Sequence, residues 1–335
     1  MPAHDIVEAT VDRVSADNGG PVYQRIWRGG ALASIIWLIT AGLTMQWPDA
    51  GDAGPTAILA CGMTVIGLGL LIGSVANIYV DLSGLSRIGP WAIAVALLLA
   101  CWELITAKLD LLPRPFFVSP QSLIQVYLDD WQRLADCTLH SLVLLVTGYA
   151  YGAVCGFVSG VAIGWWRSVS YWMHPLLRFV GPVPATAWLP LAFFVFPSSW
   201  SAAVFLIALA TGFPVTVLTW SGVASVSAAY YDVARTLGAR PTFLILRVAI
   251  PAALPSVFVG LFMGLGASFS VLVVAEMMGV KAGLGWYVTW AQGWAAYSNM
   301  YAALLLMALM CSSVITLLFR LRDNLLGWQK GLLRW

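Results

Sequence analysis

Residues 252–275 read AALPSVFVGLFMGLGASFSVLVVA, a run without one charged side chain. A helix needs about 20 apolar residues to cross a hydrocarbon layer roughly 30 Å thick. A helix also satisfies its own backbone hydrogen bonds, which no water is present to do there. Comparable runs predict further spans at 31–47, 57–80, 90–107, 137–165, 176–196, 199–222 and 300–319, making eight with 252–275. The whole 335-residue chain is 60% hydrophobic and 10% charged, with a mean hydropathy of +0.85. So few polar residues cannot coat a soluble globule of this size. The fold class read from these facts is an all-α integral membrane protein.

Charge placement gives an orientation. With the amino terminus cytosolic, all but four of the 17 Lys and Arg fall on cytosolic segments, the exceptions being Lys108, Arg114, Arg133 and Lys281. The outer loop 108–136 instead carries Asp110, Asp129, Asp130 and Asp136. An excess of basic residues on the cytosolic side selects this orientation and puts both termini there. A net charge of +2 offers nothing for nucleic acid. Asp5, Glu8, Asp12 and Asp17 precede the first apolar run, which is the wrong pattern for a cleaved signal peptide. The five scattered cysteines form no CxxC or Cys/His cluster, so neither a disulfide nor a zinc site is expected.

The cytosolic loop 223–251 has structure of its own. Tyr230-Tyr231-Asp232-Val233-Ala234-Arg235-Thr236-Leu237 reads as a short amphipathic helix, Gly238-Ala239 as its end, and Arg240-Pro241 as the start of another. Glycine suits the left-handed residue that ends a helix, and proline suits a first turn. Two short helices at an angle are predicted, with Val233, Ala234 and Leu237 as a docking surface for a groove. A solvated connecting loop is the alternative reading of the same residues.

The stretch 232–239, with Arg247-Val248-Ala249-Ile250-Pro251-Ala252-Ala253-Leu254-Pro255 after it, resembles the EAA loop of binding-protein-dependent ABC importer permeases. Asp232 stands where that family usually has Glu, and Val233 where it usually has Ala; charge and helicity survive both changes. The chain is similar to the taurine, sulfonate, nitrate and bicarbonate branch over roughly residues 98–320. Trp102-Glu103, Leu112-Pro113-Arg114-Pro115, Pro182-Val183-Pro184 and Leu189-Pro190 precede the loop, and Val273-Val274-Ala275-Glu276-Met277-Met278-Gly279 and Gly283-Leu284-Gly285-Trp286 follow it. The link Phe196-Pro197-Ser198-Ser199-Trp200 lacks the usual glycine-rich turn, and two additional spans precede the shared region.

The resemblance implies a type I permease core at 86–320, preceded by a cytosolic arm at 1–30 and two extra transmembrane helices at 31–85, and followed by a cytosolic tail at 321–335. It implies Tyr231, Asp232, Ala234, Arg235, Thr236, Leu237, Gly238 and Ala239 as the residues coupling to an ATPase. The implied partners are a second copy of the chain, two cytoplasmic ABC ATPase subunits, an extracytoplasmic substrate-binding protein and membrane lipid. ATP and Mg are expected on the ATPase, since this chain has no GxxxxGK[ST] loop. The expected cargo is a small anion, carried across a bacterial inner membrane.

For the pathway the candidates are Pro182, Pro184, Pro190, Trp188, Ser268, Ser270 and Glu276. Prolines break a helix, and broken membrane helices line cavities or are buried in protein; a kinked packing helix is the alternative. Hydroxyls and indole N–H groups suit an anion. Glu103 and Glu276 are the acids placed in or at the edge of spans, toward outer ends where a carboxylate reaches water, as interfacial structure or a gate contact. At a span centre either would cost at least roughly 2.5–3.5 kcal/mol. Gly148, Gly152, Gly156, Gly160 and Gly164 make one smooth stripe, for packing within the chain or at a subunit interface. Trp27, Trp47, Trp91, Trp131, Trp200 and Trp286 fall near span ends, where indoles favour the headgroup level.

Two other classes make different predictions. An ion-driven secondary transporter or channel predicts paired intramembrane charges and matching broken helices in two halves. A membrane enzyme predicts a catalytic cluster, but His4, His140 and His174 are isolated and neither HExxH nor a nucleophile elbow occurs.

Overall fold

The computed structural model describes residues 27–51, 54–76, 88–112 and 115–327, and among these there are helices and connections but no strand. The expected arm at 1–30 lies almost wholly outside the described residues, as does most of the tail. In order, the helices are α1 (Arg28–Gln46), α2 (Thr56–Ala76), α3 (Ile88–Glu103, continued by a π-helical turn Leu104–Lys108), α4 (Pro120–Asp129), α5 (Trp131–Trp165) and α6 (Arg167–Val180). Then come a 3₁₀ turn (Ala185–Trp188), α7 (Leu189–Val195), α8 (Ser199–Ala224), α9 (Ala228–Thr236), α10 (Pro241–Met278), α11 (Leu284–Gly293) and α12 (Tyr297–Leu325).

The chain forms two compact units divided between Gln125 and Val126. In the first, Trp37 and Ala41 of α1 pack with Leu59 and Met63 of α2 and Ala96 of α3. The Trp37 indole donates to Ala92 O at 3.0 Å. The third helix, assigned from sequence to the core, therefore packs with the two helices before it. Trp27, expected at headgroup level, is buried on α1's own first turn.

This unit also encloses charge. Glu103 is only 4% exposed, so the expectation that its carboxylate reaches water is corrected. It accepts from Thr44 Oγ1 at 2.7 Å and Gln121 Nε2 at 2.9 Å, and lies 3.7 Å from Lys108 Nζ. Lys108 also pairs with Asp49 at 2.8 Å and donates to Thr44 O and Trp47 O. The π turn makes the meeting possible. At 100° per residue an α-helix would set residue i+5 about 140° away, whereas i→i+5 bonding widens the turn and brings Lys108 back beside Glu103.

In the second unit the glycine stripe of α5 faces α8. A Cβ at Gly152 would lie 2.5 Å from Ala208 O, and one at Gly160 would lie 2.6 Å from Thr219 Cβ. The stripe is thus packing within the chain, and the subunit-interface alternative is discarded. Its register also gives direction. Gly148 meets Ile207, Gly156 meets Val215 and Gly164 meets Val223, so both sequences advance together and α5 and α8 are parallel. By contrast Gly222 meets Ser256 and Gly264 meets Thr211, which makes α8 and α10 antiparallel.

Parallel neighbours oblige residues 166–198 to return to the side where α5 began. The predicted span 176–196 is broken and not merely kinked: α6 and the 185–195 segment meet at 86°. Pro182 and Pro184 cannot donate backbone bonds across the break, whereas Pro190 sits in the first turn of α7 and breaks nothing. The bent pair is the return crossing demanded by the register, and with the seven long apolar helices it makes eight among the described residues. The second helix of the predicted elbow is also corrected, because the helix begun at Pro241 continues without interruption through the next span to Met278.

Candidate functional site: an exposed elbow and a broken-helix cleft

The elbow lies between the ends of α8 and α10. Gly238 has φ +80°, the left-handed region that favours glycine. Its N–H bonds Arg235 O at 2.9 Å while Ala239 N–H bonds Ala234 O at 3.0 Å. This is the double-bonded glycine stop that closes a helix on its own carbonyls. Arg240 is extended and Pro241 opens α10, so the chain turns sharply with its backbone satisfied.

One side of α9 is anchored. The Tyr231 ring sits edge-on to Trp165 at 5.8 Å, above a buried cluster of Val161, Val223, Ala249 and Ala253. Burial pushes the Tyr231 phenol above its ordinary pKa, opposed by the Arg235 charge. Ala234 and Ala239 are half-buried. The other side is bare: Tyr230, Val233 and Leu237 are 64%, 62% and 84% exposed, and no residue of α9 is buried. Spacings of three and four put these three on one face. Asp232 and Arg235 form an exposed 3.5 Å pair beside it, and Thr236 turns its hydroxyl back to Val233 O. Sequence reasoning missed Tyr230 as part of the surface and placed half-buried Ala234 on it. The available signal was an aromatic residue three positions before Val233.

The broken pair shapes a second feature. Val183, Pro184 and Thr186 face Phe213 of α8 and Ala267 and Ser270 of α10 across a cleft of about 300 Å³. No carboxylate or cation is among its lining residues. Of the predicted pathway residues, Pro184 and Ser270 line this cleft, and Pro182 and Pro190 are exposed beside or beyond the break. Trp188 is half-buried, with its indole nitrogen enclosed and unpartnered among the described residues.

Two pathway candidates are corrected. Ser268 is fully buried between α8 and α10, donating to Gly264 O at 2.7 Å and bonded to Thr211 Oγ1. Glu276, 1% exposed, is likewise an internal group and not a carboxylate meeting water. Its oxygens accept from Ser141 Oγ at 2.6 Å and Gly285 N at 2.7 Å, while Ser141 Oγ accepts from Leu284 N at 2.8 Å. Gly283, at φ +98°, bends around the carboxylate so closely that any Cβ would collide with Oε1. The sequence fragment 276–285 is therefore a carboxylate wrapped by the start of a helix, whose first N–H groups lack intrahelical partners.

Residues 152–327, more than half of the chain, match the model for the binding-protein-dependent transport system inner membrane component. The bicarbonate transport system permease protein CmpB of Synechococcus elongatus is 30% identical over 61% of this chain and 69% of its own length. The nitrate import permease protein NrtB of the same organism is 28% identical over 62% and 76%. A putative ABC transporter permease of Methanocaldococcus jannaschii is 27% identical over 70% and 90%. Among solved structures, a chain of the inward-facing MetNI methionine ABC transporter superposes with a TM-score of 0.50 at 15% identity, covering 58% of this chain and 97% of that one; at such identity the likeness is one of fold. The chain belongs to the binding-protein-dependent inner-membrane components and is a membrane-embedded permease subunit of an ATP-driven importer.

Proposed function

We propose that α9 is the coupling helix of this permease, seated in a cleft of a cytosolic ATPase through Tyr230, Val233 and Leu237. The observation that carries the reading is the exposure of that apolar face on a helix anchored by Tyr231 and stopped by Gly238. A helix with nothing buried does not persist on propensity alone at nine residues. Its bare face is complete only against a partner.

Membership and charge support the rest of the assembly. Two copies of the chain enclose one pathway, two ATPase subunits hold the ATP and Mg, and a binding protein delivers the solute outside. Basic residues concentrated on the elbow side support cytosolic termini, and membership of an inner-membrane family supports the bacterial inner membrane. ATP binding closes the ATPase pair, the elbows move with it, and the side to which the pathway opens changes; nucleotide thus biases a two-state equilibrium.

The solute is a small anion. Two relatives bear the names of bicarbonate and nitrate carriers, and the cleft at the break offers the Thr186 and Ser270 hydroxyls with no carboxylate to repel a negative charge. Pro182 and Pro184 hold the break open toward it, and Trp188 stands next to it on the 3₁₀ turn.

Replacing Gly238 by Val tests the coupling assignment. A β-branched residue at φ +80° is strained, so the helix stop is lost. The expected result is loss of ATPase co-purification and of ATP-dependent uptake, with the permease still inserted. Normal association and uptake would refute the assignment.

A further inference from the structure

The elbow and the wrapped carboxylate are the two ends of one helix. α10 runs 38 residues from Pro241 to Met278. At about 1.5 Å per residue it is roughly 55 Å long, more than the about 40–45 Å of a bilayer with its headgroups. Its first turn follows the Gly238 stop directly, and its last turn carries Glu276. Gly260 and Gly264 press it against the backbone of α8 midway. It is a rod with a motor-facing end and an outer end.

At the outer end, the chain after Met278 reverses through Gly279–Gly283 into α11. Two sets of polar bonds grip α11. The first is Glu276 of α10, which accepts from the Gly285 N–H of α11 and from the Ser141 hydroxyl of α5. The second is the Tyr287 hydroxyl, which donates to Asp130 at 2.7 Å and accepts from Asn299 at 2.7 Å. Of these two sets, the first is the one that bonds α11 to α10. Around α11 the outer surface presents Met278, Lys281 and Trp294, all exposed.

We propose that Glu276 is a positioning residue for transport: it fastens α11 to α10, so that displacement of the elbow moves the outer segment 278–296, and occupancy of that segment by the binding protein biases the elbow. This rests on the reading of α9 as the coupling helix. The carboxylate suits the task because it accepts two bonds at once in a buried place, where losing one would leave a donor unsatisfied. A glutamine there supplies one acceptor and one donor, so either the Gly285 N–H or the Ser141 hydroxyl loses its partner.

The test uses the full chain assembled with its ATPase in lipid nanodiscs, measuring basal ATP hydrolysis and its stimulation by solute-loaded binding protein. Ser141→Ala and Glu276→Gln are expected to assemble and to hydrolyse ATP basally within about twofold of the parent, while binding-protein stimulation falls roughly tenfold, the size of a typical coupling between sites. Ser141→Thr, which keeps the hydroxyl, is expected to restore stimulation to within about twofold of the parent. A merely structural role would lower basal and stimulated rates together with the amount of complex. Stimulation unchanged in assembled Ser141→Ala complexes would overturn the proposal, and that variant decides the matter if Glu276→Gln does not assemble. The coupling reading fails by a different result, normal ATPase association in the Gly238→Val protein.

Discussion

The two ends of α10 are built oppositely. At Glu276 both carboxylate oxygens and the Ser141 hydroxyl are bonded inside the chain, and a Cβ at Gly283 would collide with the carboxylate. At the elbow, by contrast, the backbone is satisfied but the apolar face of α9 is left open. A joint internal to one subunit is completed by that subunit, and a surface that must meet another polypeptide is left incomplete. Burial of polar partners marks the joint at Glu276, and exposure of an apolar face marks α9 as the part proposed to answer to a motor.

Substitutions can break this contrast, and the largest effects are expected where charge is buried. Lys108→Ala would strand Glu103 and Asp49 without their cation, destabilising the amino-terminal unit by about 3–5 kcal/mol; thermal unfolding of the purified protein measures it, and a shift near zero would mean these carboxylates find water. Glu276→Ala removes the acceptor of the buried Ser141 hydroxyl and of the Gly285 N–H, for a loss of about 2–4 kcal/mol in the same assay.

A smaller loss is expected along the glycine stripe. In Gly152→Ala the new methyl meets Ala208 O, and overpacking against a backbone atom costs about 1–3 kcal/mol; an unaltered melting temperature would show that α5 and α8 separate easily. At the elbow the order reverses. Leu237→Ala is expected to change stability by less than about 0.5 kcal/mol, as exposed substitutions do, yet to weaken ATPase binding at least roughly tenfold in a pull-down titration. Equal binding would remove Leu237 from the docking face. Smallest of all, Asp232→Asn breaks an exposed 3.5 Å pair and should alter stability by under about 0.5 kcal/mol.

Long apolar spans were legible because membrane insertion depends on a local sum of side chains. The glycine that ends α9 and the prolines that break the fifth span were legible too, since each acts on its own backbone. The helices α4 and α11 escaped notice: at 10 residues each they are too short to cross a membrane, and a hydropathy reading sees only long runs. Glu276 and Ser268 were misplaced for another reason. Polar side chains in a span signal function or internal bonding equally well, and only the partner, Ser141 at a sequence distance of 135 or Thr211 at 57, decides between them.

By itself, then, the sequence determined the solvent, the helical class and the positions where helices start, stop and break, because these are set by transfer of individual side chains and by backbone sterics within a few residues. Tertiary structure alone decided that α5 and α8 run parallel, that the bent pair must cross the bilayer between them, that Thr44, Asp49 and Gln121 meet the Glu103–Lys108 pair, and which face of α9 stays bare. Those outcomes depend on which distant surfaces interlock and on which polar groups find partners there, and no local property of the chain encodes either.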